Sequence, residues 1–394
     1  MLTKILVTTL LLISGAVVPL HGYQTSSLKA ISEFKRNKLQ EMSPDGRLLL
    51  FYETSRPVRT YTIRADGITH TSKTGDDVLR LVERTSGREL GRIRVEFYPN
   101  DIQFIPGTQR VFYKEPKLVN HQLEWRLKIW DVASGEAREC SGEDVRSRSF
   151  SLIDAQHGLT LLRHVEGDRF SILSLPDCSQ GMDSPVDPAN RNARVAGDIS
   201  FSSSRKEFAY VAANKLVIRN SATLDVLREI NEEAELKLGW NPIYTPDGRF
   251  LMVLATNTIF DKPETKRFLL FYDIMNYELV KRLDITNWKP PEPRDDVSVQ
   301  SNFIGTAMAI GPGSRTLAVA YTSEKTNLFW KTEQAQVVIY DLATGEELGR
   351  VSHPKINQHH NDPFAARIGK LSFTPDGRHL LSTTNDTLVW EIFR

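Results

Sequence analysis

The chain has 394 residues, 40% of them hydrophobic and 25% charged, which excludes a disordered polymer and fits a soluble globular protein. With 50 basic and 49 acidic residues the net charge is +1. No strong field draws nucleic acid or anionic lipid, and neither is expected as a partner.

The N-terminus reads as an export signal. Lys4 precedes the apolar run Ile5–Ile13, and small residues follow in Ser14-Gly15-Ala16. This predicts a signal peptide over 1–22, cleaved after 16 or 22. The apolar run is too short for a membrane span, so none is expected after its removal. The remainder, 23–394, is predicted to be a single secreted or periplasmic domain acting as a monomer. Leu28–Phe34 then reads as an isolated strand.

Next comes the first copy of a repeated turn, Ser43-Pro44-Asp45-Gly46-Arg47. It recurs as Thr245–Arg249 and Thr374–Arg378, each time before an apolar run. Proline presets the first corner residue, aspartate bonds its own backbone and glycine takes positive φ. The motif is therefore a strand–turn–strand signal, and its acids are structural. Degenerate copies near 107, 158, 205 and 313 bring the first turns to seven. A second anchor follows several of them: Trp130-Asp131 with Ser134-Gly135-Glu136, Tyr272-Asp273, Tyr340-Asp341 with Thr344-Gly345-Glu346, and Trp390-Glu391. The aromatics, at one repeat phase, are assigned to packing between units.

Each unit is thus four strands, at roughly 53 residues per unit. The expected fold is all-β: a seven-bladed β-propeller of four-stranded antiparallel blades. The last unit ends after its third strand, so the N-terminal strand is expected to close the ring in the last blade.

First and third connections are tight, and both lie on one face. The second connections 53–78, 114–126, 256–267 and 322–336 are long, as are the links 284–303 and 352–368. They crowd the opposite face as predicted loops, where a rigid scaffold carries function. The binding-face candidates there are Trp125, Trp288, Phe329, Trp330, His359 and His360; His121 stands beside Trp125. His359, His360 and Asp362, with Asp295 and Asp296, are weak metal-ligand candidates, because adjacent histidines point apart in an extended chain. No metal or other cofactor is predicted, and no nucleophile–base motif is present. Cys140 and Cys178 are the only cysteines, and export permits a disulfide between them; two unpaired thiols remain the alternative.

The Trp-Asp-like endings and the Ser/Thr-Pro-Asp-Gly turns resemble WD-repeat, YVTN-type and Tol-system propellers over nearly the whole mature chain. The Gly-His dipeptide of typical WD repeats is absent, which points to a divergent, exported bacterial member. The resemblance implies the fold and leaves function open. The expected function is a non-enzymatic exported scaffold that binds a protein or peptide through the loop-rich face. The alternatives are a lactonase-like or quinoprotein-like enzyme at the channel mouth, and envelope carbohydrate binding through Trp125, Trp288 and Trp330.

Overall fold

The computed structural model describes residues 30–34, 37–53, 62–64, 67–69, 77–95, 99–105, 108–119, 122–140, 149–154, 159–163, 170–174, 180–183, 195–202, 204–231, 236–239, 242–257, 266–286, 307–326, 331–354, 356–358, 368–384 and 386–392. The predicted signal segment 1–22 and the turn near 158 lie outside these residues.

β1 (Ala30–Phe34) is followed by a sheet of β2 (Asn37–Met42), β3 (Leu48–Glu53), β6 (Asp77–Glu83) and β7 (Glu89–Val95). A small hairpin of β4 (Thr62–Arg64) and β5 (Gly67–Thr69) lies within its second connection. The next sheet holds β8 (Asn100–Ile105), β9 (Arg110–Val119), β10 (Gln122–Asp131) and β11 (Glu136–Glu139). Then come β12 (Ser149–Asp154), β13 (Leu159–Arg163), β14 (Phe170–Ser174) and β15 (Gln180–Asp183). The following sheet has β16 (Val195–Ser202), β17 (Glu207–Ala212), β18 (Lys215–Asn220) and β19 (Val226–Asn231).

After it, β20 (Lys237–Leu238) and β21 (Ile243–Tyr244) share the edge of β22 (Phe250–Thr256), which pairs with β23 (Arg267–Asp273) and, beyond it, β24 (Leu279–Asp284). The next sheet is β25 (Met308–Ile310), β26 (Thr316–Thr326), β27 (Lys331–Asp341) and β28 (Glu347–Ser352), with β29 (Ile356–Gln358) added on β27. The last is β30 (Lys370–Phe373), β31 (His379–Thr383) and β32 (Thr387–Glu391), and its fourth strand is β1. Ala30 pairs with Trp390 and Phe34 with Thr387, so the orphan N-terminal strand completes the C-terminal sheet.

The inner strands pack side by side: β2 on β8, β8 on β12, β12 on β16, β16 on β21, β25 on β30, and β30 back on β2. This is a propeller of four-stranded antiparallel blades. Its strands read as apolar runs because each sheet is covered on both faces. The repeated aromatics lie between blades, as their spacing predicts. Trp130 packs with Leu50, Leu79 and Leu81 of the preceding sheet. Tyr272 packs with Val211 and Leu216, Tyr340 with Met252 and Leu269, and Trp390 with Ala320 and Val337.

The turn chemistry follows the motif. Ser43 Oγ donates to Asp45 Oδ1 at 2.6 Å and accepts from Leu48 N at 2.8 Å, while Arg47 N donates to the same carboxylate at 3.0 Å. Thr245 and Asp247 repeat this at 2.6 Å, with Arg249 N at 3.2 Å. Thr374 and Asp376 do so again. The Ser43 hydroxyl and the Arg47 amide hold Asp45 below the usual carboxylate range, and Thr374 and the Arg378 amide do the same for Asp376. Gly46, Gly248 and Gly377 have φ of 69°, 66° and 69°, a region that costs other residues strain.

Candidate partner-binding face

The first turns interlock. The Gly46 turn meets Pro375, and Gly377 faces Pro312. Ser314 Oγ accepts from Asp247 N at 3.0 Å, and Gly248 lies near Ser204. One face of the propeller is therefore a band of short turns locked to one another. A cleft of about 620 Å³ opens there between the first two sheets, lined by Asp45, Arg47, Glu83, Arg88, Phe104 and Gln109 among others.

The opposite face is built differently, and two expected loops are corrected here. Residues 114–119 and 122–126 are no loop: β9 and β10 pair in unbroken register from Arg110↔Asp131 to Val119↔Gln122. Residues 322–326 and 331–336 likewise pair in unbroken register, from Thr316↔Asp341 to Thr326↔Lys331. The extra strand β29, within the expected 352–368 link, pairs with the latter at Lys331–Glu333. Backbone groups in a long two-stranded extension satisfy one another, which a structureless loop of that length does not achieve. Both second connections are thus long β-arms.

Trp125 is the one binding-face candidate within the described residues. It lies on the first arm, opposite Pro116 and half-buried. Lys114 Nζ sits 4.8 Å from its ring centroid, a cation–π contact that fixes one face of the indole. At the arm's base Lys128 Nζ meets the buried Glu115 at 2.6 Å, and Arg126 lies 3.4 Å from Glu139. Trp288, Phe329, Trp330, His359, His360 and Asp362 lie outside the described residues, as do His121, Asp295 and Asp296. Among the described residues no group of three or more His, Cys, Asp or Glu side chains could hold a metal ion. Cys140 is buried and disulfide-bonded, which excludes a free thiol there; Cys178 lies outside the described residues.

Two buried polar networks escaped the sequence. Glu207, 1% exposed, accepts from the Tyr277 and Tyr244 hydroxyls and lies 3.1 Å from Arg205 Nε. Burial, reinforced by the carboxylate, pushes the Tyr277 phenol far up, and Tyr244 behaves alike. Tyr277 takes φ 59° where the other third turns place Gly87, Gly135 and Gly345, and Leu224 does the same at 62°. Buried contacts offset this strain. In the second network His353 Nε2 lies 2.6 Å from Ser382 Oγ, and Trp390 Nε1 donates to that oxygen at 2.7 Å. Burial pushes His353 down to about 4, with Asp386 opposing.

Exposed large apolar side chains among the described residues are confined to one stretch of rim: Val226 and Leu227 of β19, Met275, and Leu279 and Val280 of β24. Among the described residues no helix is long and apolar enough to cross a membrane.

No family model matches the chain, and no curated protein matches it by sequence. Solved structures do share its fold. A chain from the crystal structure of a mitotic checkpoint complex aligns over 100% of both chains at 13% identity and TM-score 0.51. Raptor from Chaetomium thermophilum aligns over 94% of this chain at 11% identity and TM-score 0.53, with 29% of Raptor's own length covered. Likeness at these identities supports a β-propeller fold and nothing finer.

Proposed function

We propose that the chain is an exported, non-enzymatic propeller of seven blades that holds a protein or peptide partner on the face carrying its second connections. The observation that carries this is the asymmetry of the two faces. One is a band of tight turns locked to each other through Gly46–Pro375, Gly377–Pro312 and Asp247–Ser314. The other extends two long β-arms from sheets well apart in the ring. Elements that project from a rigid scaffold offer contact surface at small cost to the core. The sheets enumerated above support seven blades, and Lys4 with Ile5–Ile13 supports export. One structural neighbour comes from a multiprotein checkpoint assembly, which is compatible with a scaffold.

Photo-crosslinking residues at Gln122 and Thr326, on the arms, and at Ser86 and Ser134, in third turns, test the face assignment in the host. Covalent adducts to one protein from the arm positions alone are expected. Adducts from the turn positions alone would overturn the reading.

A further inference from the structure

We propose that the arm formed by β9 and β10 binds an extended strand of its partner along the outer edge of β10, at Leu123 and Trp125. This deepens the reading of the armed face as a partner surface and rests on it.

The two arms are built alike, and one of them shows how such an edge is filled. In the second arm, His353 N donates to Ala335 O, and β29 then pairs with β27 at Glu333 and Lys331. In the first arm Cys140 N donates to Leu127 O. Leu127 is therefore the counterpart of Ala335. Backbone groups alternate sides along a strand. Trp125 and Leu123 thus direct their N–H and C=O groups outward, as Glu333 and Lys331 do where β29 docks.

Among the described residues nothing pairs with this edge: β11 covers β10 only from Lys128 to Asp131. The other edge of the arm is closed to pairing. Pro116 stands opposite Trp125, so its nitrogen faces outward and has no hydrogen to donate. An edge blocked on one side and, among the described residues, unpaired on the other selects where a strand adds. Trp125, held from behind by Lys114, gives an apolar side chain of that strand a rigid indole to pack on. The occupant is a linear, extended peptide segment that brings its own row of backbone donors and acceptors, the mode of β-strand addition.

The test selects random linear peptides displayed on phage against the full chain. Selected peptides are then measured on Leu123→Pro, Trp125→Pro and Trp125→Phe. Each proline removes one outward N–H and leaves the pairing with β9 in place. Affinity should fall about tenfold or more in both proline variants and stay within about twofold in Trp125→Phe. On the unmutated chain, saturating peptide should slow amide exchange at 123 and 125, a readout that holds even where a proline variant folds poorly. Unchanged affinity in both proline variants, unchanged exchange at those amides, or no selectable peptide would each overturn the proposal. If arm crosslinks to a folded protein persist in any of those cases, strand addition fails while the face assignment stands.

Discussion

Gly46 and Pro375, far apart in sequence, lock the first turn of the chain to the last. A β-carbon at Gly46 would lie 2.3 Å from Pro375 Cδ, and Gly46 sits at φ 69°. Gly46→Ala therefore adds a clash to the strain of a left-handed alanine. Gly87→Ala is the matched control, with φ 68° and no atom within 4 Å of the new carbon. Strain alone should cost about 1 kcal/mol, and Gly46→Ala should cost about 1–3 kcal/mol more by urea denaturation. Equal losses would mean that the two turns do not hold each other.

Trp390 and Trp130 occupy one repeat position, yet their indole nitrogens differ. Trp390 Nε1 donates to Ser382, whereas Trp130 Nε1 has no partner among the described residues. Trp390→Phe should thus cost about 1 kcal/mol more than Trp130→Phe, because it breaks the His353–Ser382–Trp390 chain.

The same chain makes stability depend on pH. His353 titrates near 4 when folded, below the ordinary 6.5, so the unfolded chain binds its proton more readily. Stability from this group is fully present above about 6.5 and is lost as pH falls toward 4, at most on the order of 3 kcal/mol. His353→Gln should flatten that part of the stability–pH curve; an unchanged curve would contradict the assignment.

Glu207 joins neighbouring blades through Arg205, Tyr244 and Tyr277. Glu207→Ala leaves the Arg205 charge and two buried hydroxyls without their acceptor, so a loss of about 3–5 kcal/mol is expected. Glu207→Gln, which keeps an acceptor for the phenols, should cost less. Matching losses in the two variants would show that the loss comes from the charge and that the phenol hydrogen bonds add little.

Deleting 30–34 strips β1 from β32 and exposes an apolar edge in the last blade. Faster amide exchange through Thr387–Trp390 and a lower melting temperature are expected. Retention of the full melting temperature would contradict the role of β1 in closing that blade.

The blade pattern was legible because its signals are local: Pro-Asp-Gly corners, an aromatic before the polar bend in four third strands, and an unpaired strand at each end. The arms were not. Lys114-Glu115-Pro116-Lys117 and Glu124-Trp125-Arg126 show no apolar alternation: Lys114 and Glu115 are buried yet charged, matched by the Trp125 ring and by Lys128. Glu207 was equally invisible. Its partners lie 37 and 70 residues away and meet it only once two blades pack. His353 was missed because its partner Ser382 lies 29 residues further along the chain.

The central claim is that the partner sits on the armed face, and hydrogen exchange on the protein with and without its crosslinked partner tests it most directly. The account predicts slowed exchange on the two arms, 110–130 and 316–340, with the turns at 43–47, 131–135 and 341–345 unaffected. Protection confined to those turns, or to the apolar rim of β19 and β24, would contradict it.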